Sequence, residues 1–278
     1  MQGNLQKEIR WIASSFRDSG YKRIARQCNK MGKNLHIYKK SPKKLQADID
    51  KLVEIFDLDY VHFPKVGSEE LRTEYLLIIQ ELLEMAVLKS SDFNKTIAEI
   101  LPFTMQGMDT SEVITQIARI WGNFDDERFL EINFYLSLFI FMLHIEGQYF
   151  PALKTLCALK LVGEGKSIDF ETINKMSYES IKGELGSIGE PLFLVYDDIG
   201  RKLRNAVAHA SFRFDKGKLV CWNIEPRTRR RTWKKDFTFE ELTTTLADIY
   251  GVAWGYFNWY MIRQLIGKVQ KFVTPERV

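Results

Sequence analysis

Three side chains with useful chemistry lie within six residues, in the segment Leu-Arg-Asn-Ala-Val-Ala-His at residues 203–209. Arg204 offers a permanent charge and a planar fork of donors, Asn205 offers an amide, and His209 offers an imidazole, a group that can accept or donate a proton. Such a set could cleave RNA without a metal. The imidazole would take the proton of the ribose 2′-hydroxyl, and the guanidinium would stabilise negative charge at phosphorus. One copy supplies a base but no separate general acid.

The residues around this segment predict an amphipathic helix that presents the three side chains. Its apolar positions after Pro191 recur at steps of three or four, at Leu192, Val195, Ile199, Leu203, Ala206 and Ala210. Asn205 and His209 share one face, and Arg204 lies about 100° away around the helix. Spacing alone also allows a structural interpretation, in which the two basic residues simply favour the C-terminal end of the helix dipole.

The stretch Leu-Arg-Asn-Ala-Val-Ala-His-Ala at residues 203–210 resembles the Arg-Asn-x-x-x-His signature of the HEPN family (higher eukaryotes and prokaryotes nucleotide-binding). The resemblance is strongest over residues 190–272 and extends back to about residue 68. It implies an α-helical bundle that forms a homodimer through the motif-bearing helices. It also implies a metal-independent endoribonuclease, acting as a toxin or antiviral-defence effector, with an antitoxin or other defence-system protein as a possible partner.

Carried over by residue, the resemblance makes Arg204 and His209 catalytic and Asn205 a supporting polar residue. The second copy of His209 in a dimer would supply the missing acid, and the RNA products would carry 2′,3′-cyclic phosphate and 5′-hydroxyl ends. Some members of the family keep the fold without nuclease activity. A non-catalytic HEPN-like subunit that binds RNA or protein and regulates a partner is therefore the alternative expectation.

Positive charge is concentrated in two parts of a chain whose net charge is only +4. Residues 1–44 hold twelve Lys or Arg against two acidic residues, and residues 213–235 hold nine against two. Such asymmetry predicts a polyanionic partner, and the interleaved Trp222 and Trp233 favour RNA, whose bases stack on aromatic rings. The residues predicted to bind RNA are Lys202, Arg213, Arg227, Arg229, Arg230, Arg231, Lys234, Lys235 and Trp233.

Other interpretations of these charges remain open. The second cluster could be a charged, solvated hairpin edge, and residues 1–44 could form a solubilising helix surface. The interpretation that the N-terminal helices bind DNA has less support, because no helix-turn-helix pattern stands out there.

Hydrophobic periodicity and capping residues predict a mainly α protein, with helices at about 68–90, 109–121, 127–148, 151–162 and 170–183. Helix breaks are expected at Leu101-Pro102, Phe150-Pro151, residues 163–165 and residues 189–191. A small basic β-hairpin at about 211–235, with its two strands at residues 211–214 and 219–224, precedes a last long helix. That helix opens with a capping box at Thr238–Glu241. The predicted organisation is a basic helical segment at 1–66 and a HEPN-like helical domain at 67–278, separated near residues 63–67.

Several other classes of protein find no support in the chain. The three cysteines are far apart and form neither a disulfide framework nor a zinc ribbon. No phosphate loop, nucleophile elbow or zinc-protease motif occurs, so no cofactor and no metal are expected. The most apolar stretch, residues 132–145, is shorter than the roughly 20 residues that span a bilayer. We expect a cytoplasmic protein with no membrane segment, whose aromatic residues at 254–260 form core or dimer interface.

Overall fold

The computed structural model describes residues 2–18, 20–62, 67–89, 93–121, 129–225 and 227–273. The fold is mainly helical with a small antiparallel sheet, as predicted. The chain divides into two compact units, residues 1–65 with 258–278, and residues 66–257. The predicted division into 1–66 and 67–278 differs from this grouping at its C-terminal end, because the last helix runs through both units. Most of the predicted boundary, at residues 63–66, lies outside the described residues.

The first unit is built from α1 (Gln2–Asp18), α2 (Lys22–Tyr38), α3 (Pro42–His62) and the end of the last helix. Helix α2 packs against both α1 and α3. Its apolar face, which includes Met31 and Leu35, is fully buried. The ring of Phe56 stacks on that of Trp259 with centroids 5.2 Å apart, so α3 and the last helix share this core.

The second unit begins with α4 (Glu69–Lys89), α5 (Phe93–Trp121), α6 (Leu130–His144) and α7 (Phe150–Gly163). It continues with the short helices α8 (Phe170–Lys175), α9 (Tyr178–Leu185), α10 (Glu190–Val195) and α11 (Arg201–Ala208). A π-helical turn, Ile145–Tyr149, joins α6 to α7, and a second, Tyr196–Gly200, joins α10 to α11. Helix α7 is the centre of this bundle, because it packs against α4, α5 and α9 and buries most of its side chains.

A three-stranded antiparallel sheet follows the bundle, in the order β1 (Phe212–Asp215), β2 (Lys218–Ile224) and β3 (Arg231–Phe237). The predicted hairpin accounts for β1 and β2 but omits β3. The charged residues of β3 hid its alternating pattern, in which only one face of the strand is covered. The last helix, α12 (Phe239–Val273), begins with the predicted capping box. The Thr238 amide donates to Glu241 at 2.8 Å, and the Glu241 amide donates to the Thr238 hydroxyl at 3.1 Å.

Two predicted helix breaks and one predicted helix start are wrong. Pro102 lies inside α5, which also runs through the expected capping box at Asp109. In that helix the Thr110 hydroxyl donates to the Gln106 carbonyl at 2.8 Å instead of capping a new helix. Pro151 likewise lies within a continuous helix, because the wider π-helical turn before it absorbs the ring that would clash with a regular turn.

Helices α6 and α7 therefore form one continuous helix, Leu130–Gly163, which is long and apolar enough by length and composition to cross a membrane. It is the one such helix in the described part of the chain, and 44% of its most apolar window is buried within the protein. Several of its buried polar groups are hydrogen-bonded within the protein. The Ser137 hydroxyl donates to the Asn133 carbonyl at 2.8 Å, and the Gln148 amide donates to the Gly107 carbonyl at 3.2 Å. These features are consistent with the core helix of a soluble protein.

Candidate functional site

The predicted motif helix is confirmed as α10, a π-helical turn and α11 in continuous succession. Leu192 and Ile199 are buried, and Leu203 and Ala206 are completely so. This apolar stripe attaches the helix to the bundle. Arg204 and Asn205 are half-buried on the side of the helix that the stripe leaves open.

His209 lies at the C-terminal end of α11, where the backbone forms a Schellman motif. The Ser211 amide donates to the Ala206 carbonyl at 2.7 Å, and the Ala210 amide donates to the Val207 carbonyl at 3.0 Å. This motif requires a left-handed residue after the helix, and Ala210 takes that conformation with φ of 49°. The chain turns away immediately after His209, so its imidazole is exposed at the helix end.

Arg204 is held by Glu146, an acidic residue that the sequence analysis did not single out. Its Nε donates to Glu146 Oε1 at 2.6 Å, and its Nη2 lies 2.6 Å from the same oxygen. The guanidinium carbon is 6.0 Å from the centre of the Phe150 ring. A signal for Glu146 exists in the sequence, because it is the one Asp, Glu, Lys or Arg between Glu131 and Lys154. An isolated charge in such an apolar stretch marks a position that faces solvent or a polar partner.

The two π-helical turns lie against each other and bring Glu146 beside Arg204. The rings of Tyr149 and Tyr196, one from each turn, have centroids 5.2 Å apart, and Phe150 meets Tyr196 at 5.5 Å. Burial raises the pKa of Tyr196 to about 12, so this stack is uncharged at neutral pH. A Cβ at Gly200 would lie 2.7 Å from Ile249 of the last helix and 2.9 Å from the Tyr196 ring of the same turn, so a side chain there would force these neighbours to shift. Wide turns of this kind often occur at functional sites.

The sheet is fastened to the motif helix through β2. The side-chain amide of Asn223 donates to the main-chain carbonyl of Lys202 at 3.1 Å, and β2 packs against α11. Strand pairing places Trp233 opposite Asn223, so both side chains lie on the same face of the sheet. The basic sheet and the motif helix therefore belong to one continuous part of the second unit.

The residues predicted to bind RNA do not form one surface. Strand register places Arg213 and Lys234 on the same face as Trp222, and Arg231 covers the Trp222 ring at 5.1 Å. Trp233 and Lys235 lie on the opposite face. Three further predicted residues, Arg227, Arg229 and Arg230, are exposed in the turn between β2 and β3.

Two of the strand cations have acidic neighbours on their own strands. Arg213 lies 3.3 Å from Asp215, and Lys234 lies 3.5 Å from Asp236. Exposed pairs of this kind are weak, but each carboxylate offsets part of the positive charge that a phosphate would meet. The three arginines of the turn and Arg231 are therefore the strongest candidates for phosphate contacts in the sheet.

Lys202 borders an open cavity of about 810 Å³ beside the motif helix. Acidic residues dominate its charged lining, which consists of Glu179, Lys182, Glu190, Asp197, Asp198 and Lys202. Asp197 accepts hydrogen bonds from Lys182 and, at 2.8 Å, from the Tyr178 hydroxyl. Phosphate is repelled from such a lining, so Lys202 is the least favourable of the predicted RNA-binding residues.

Metal and thiol chemistry find no site in the described part of the chain. No three His, Cys, Asp or Glu side chains are grouped there as metal ligands. Cys28, Cys157 and Cys221 are buried, and burial raises the pKa of each thiol to about 12, so these cysteines stay protonated.

Comparison with protein-family models, curated proteins and solved structures gives no match to this chain. The resemblance to the HEPN family therefore remains a prediction from the sequence of residues 203–210.

Proposed function

We propose that the protein is a metal-independent endoribonuclease of the HEPN type, with Arg204 and His209 as catalytic residues and Asn205 in support. The observation that carries this proposal is the pairing of an oriented guanidinium with an exposed imidazole on one helix. Glu146 holds Arg204 in place at 2.6 Å, while His209 is exposed at the helix end. A cytoplasmic toxin or antiviral effector restrained by an antitoxin-like protein is the biological role that this chemistry suits.

In the proposed reaction, His209 removes the proton of a ribose 2′-hydroxyl, and the 2′-oxygen attacks the adjacent phosphorus. The bond from phosphorus to the 5′-oxygen breaks, and that oxygen takes a proton from a second imidazole. Arg204 stabilises the charge on the phosphoryl oxygens. Asn205, which shares the face of His209, offers an amide for orienting the substrate.

A second copy of the chain supplies the second imidazole. An exposed apolar stripe on α6 supports this homodimer, because Ile132, Tyr135 and Phe139 are 43%, 40% and 54% exposed at one helical face. Glu146 continues the same face two heptads after Ile132. A partner copy that covers the stripe would approach the Arg204–Glu146 pair of the first copy.

The second candidate function is a non-catalytic RNA- or protein-binding subunit. The contact between Arg204 and Glu146 favours it, because the carboxylate occupies two of the guanidinium nitrogens and offsets the charge that phosphate would need. The two functions differ in what removal of the imidazole does to the RNA.

The test compares the purified protein with His209→Ala in the presence of a chelator, using total RNA and a 2′-O-methyl RNA as substrates. His36→Ala, which removes an exposed histidine of the first unit, is the matched control. We expect the control to cleave like the wild type and His209→Ala to lose at least about 100-fold in rate. The products should end in 2′,3′-cyclic phosphate, and the 2′-O-methyl RNA should stay intact.

Equal cleavage by His209→Ala and the wild type would contradict the catalytic assignment. Cleavage that needs added Mg²⁺ would contradict the metal-free mechanism. RNA binding without any cleavage would favour the second candidate function.

A further inference from the structure

Helix α2 of the first unit presents a continuous stripe of positive charge. The structure describes all of this helix, which contains no acidic residue. Its exposed cations recur at steps of one, three or four residues, at Lys22, Arg23, Arg26, Lys30 and Lys33. They therefore occupy one side of the helix over about 16 Å.

An open groove of about 470 Å³ lies between α2 and α3, along this stripe. Its charged lining is mainly basic, with Glu54 as the one acidic residue, and consists of Arg23, Arg26, Lys30, Lys51 and Glu54. All of these residues belong to the first unit. The groove is thus independent of the motif helix and its sheet.

Acidic side chains set beneath the cations hold two of them in place. Asp59, 15% exposed, accepts a hydrogen bond from Arg23 at 3.0 Å, and Asp48, 3% exposed, accepts one from Lys30 at 2.9 Å. Burial opposes ionisation of Asp48, but hydrogen bonds from Lys30 and its neighbours outweigh it and lower the pKa of the carboxyl to about 2. The ionised carboxylates lie inside, and the half-exposed cations face the solvent.

The uncharged lining of the groove has little with which to recognise a base or a small ligand. It consists of Gln27 and Ile55, without an aromatic ring. The Gln27 amide donates to the main-chain carbonyl of Asp48 at 2.9 Å, so this donor joins α2 to α3 and is not available to a ligand. A small anion in an open groove would bury little surface, whereas a polymer gains from each of several contacts with phosphate.

We propose that this groove binds the phosphate backbone of a polynucleotide without reading its sequence or its sugar. Arg26 and Lys51 make direct contacts with phosphates, and Arg23 and Lys30 are held in position by their buried carboxylates. The site is a second nucleic-acid contact, separate from the sheet. Because phosphate is common to both nucleic acids, it treats single-stranded RNA and DNA alike.

The test measures binding by fluorescence anisotropy with labelled oligouridylate and oligothymidylate of equal length, over a range of salt concentrations. The full-length chain carries His209→Ala in every sample, so that cleavage does not interfere and the result stands whether or not the protein is a nuclease. The variant Arg26→Gln/Lys51→Gln removes two cations but leaves the Arg23–Asp59 and Lys30–Asp48 pairs intact. Lys166→Gln/Lys175→Gln, two exposed lysines of the second unit, is the control with the same change in charge.

We expect the groove variant to reduce the slope of log Kobs against log salt by about 1.4, since each single-strand phosphate contact contributes about 0.7. If binding at 1 M salt is unchanged, affinity at 0.1 M falls about 25-fold for both RNA and DNA. Arg26→Lys/Lys51→Arg, which keeps both charges, should retain the wild-type slope.

A slope equal to that of the wild type, or a loss no larger than that of the control, overturns the proposal. A loss confined to RNA also overturns it, because the groove would then recognise the sugar. Unchanged binding to both oligonucleotides with lost binding to phosphatidylserine vesicles would make the groove a membrane-binding surface instead.

Discussion

Replacing Ala210 with glycine should stabilise the protein, although glycine usually weakens a helical region. Ala210 closes the motif helix with φ of 49°, a left-handed conformation that a Cβ disfavours. Its side chain is exposed, so the methyl group contributes little by burial. The substitution therefore removes backbone strain and leaves the two hydrogen bonds of the Schellman motif unchanged.

The expected size follows from two opposing effects. The left-handed conformation costs an alanine about 1–2 kcal/mol, which the substitution recovers. Glycine gives the unfolded chain extra freedom, which costs about 0.4–1 kcal/mol. The net gain in the free energy of unfolding is about 0.5–1 kcal/mol. Ala208→Gly is the matched control, because Ala208 is exposed in the regular last turn and its replacement should cost about 0.5–1 kcal/mol.

Urea unfolding followed by circular dichroism measures both variants against the wild type. The two midpoints should shift in opposite directions, and the free energies of unfolding should differ by about 1–2 kcal/mol. Equal destabilisation by both glycines would refute the reasoning, because it would mean that Ala210 is not strained in the folded protein.

Three further predictions concern the core, the site and the sheet. Glu146→Gln should lower the free energy of unfolding by less than about 1 kcal/mol, since the Arg204–Glu146 pair is exposed. It should nevertheless slow RNA cleavage by about 10- to 100-fold, because Arg204 would be misplaced. Unchanged cleavage would contradict this role of Glu146. Burial lowers the pKa of His144 to about 4 from 6.5. Stability should therefore be full above about pH 6.5 and fall towards pH 4, by on the order of 3 kcal/mol, and thermal melts of His144→Leu should lack this dependence. Replacing the three arginines of the β2–β3 turn, Arg227, Arg229 and Arg230, with glutamine should reduce the salt slope of RNA binding by about 2. An unchanged slope would exclude the turn from the RNA-binding surface.

Much of the helical fold is predictable from local patterns. The capping box at Thr238–Glu241 involves residues three apart, so its partners are visible in the sequence. Pro102 and Pro151 led to wrong helix breaks because the interactions that tolerate them are not visible in the neighbouring sequence. The cost of proline in a helix is local, but packing of the whole helix and a neighbouring π-helical turn offset it. Strand β3 was missed because its pairing with β2, rather than its own composition, makes it a strand.

The side-chain chemistry of residues 203–209 and the clusters of positive charge depend on residues that are neighbours in the chain. Both can therefore be read directly from the sequence. The helix that carries Arg204 and His209 also follows from spacing alone. Tertiary structure decided the rest, because it depends on residues far apart in the chain. Glu146 precedes Arg204 by 58 residues, and only the contact between two π-helical turns brings them together. Strand register divided the basic residues of the sheet between its two faces. In the first unit, the carboxylates of Asp48 and Asp59 hold Lys30 and Arg23 of α2 in position along the groove.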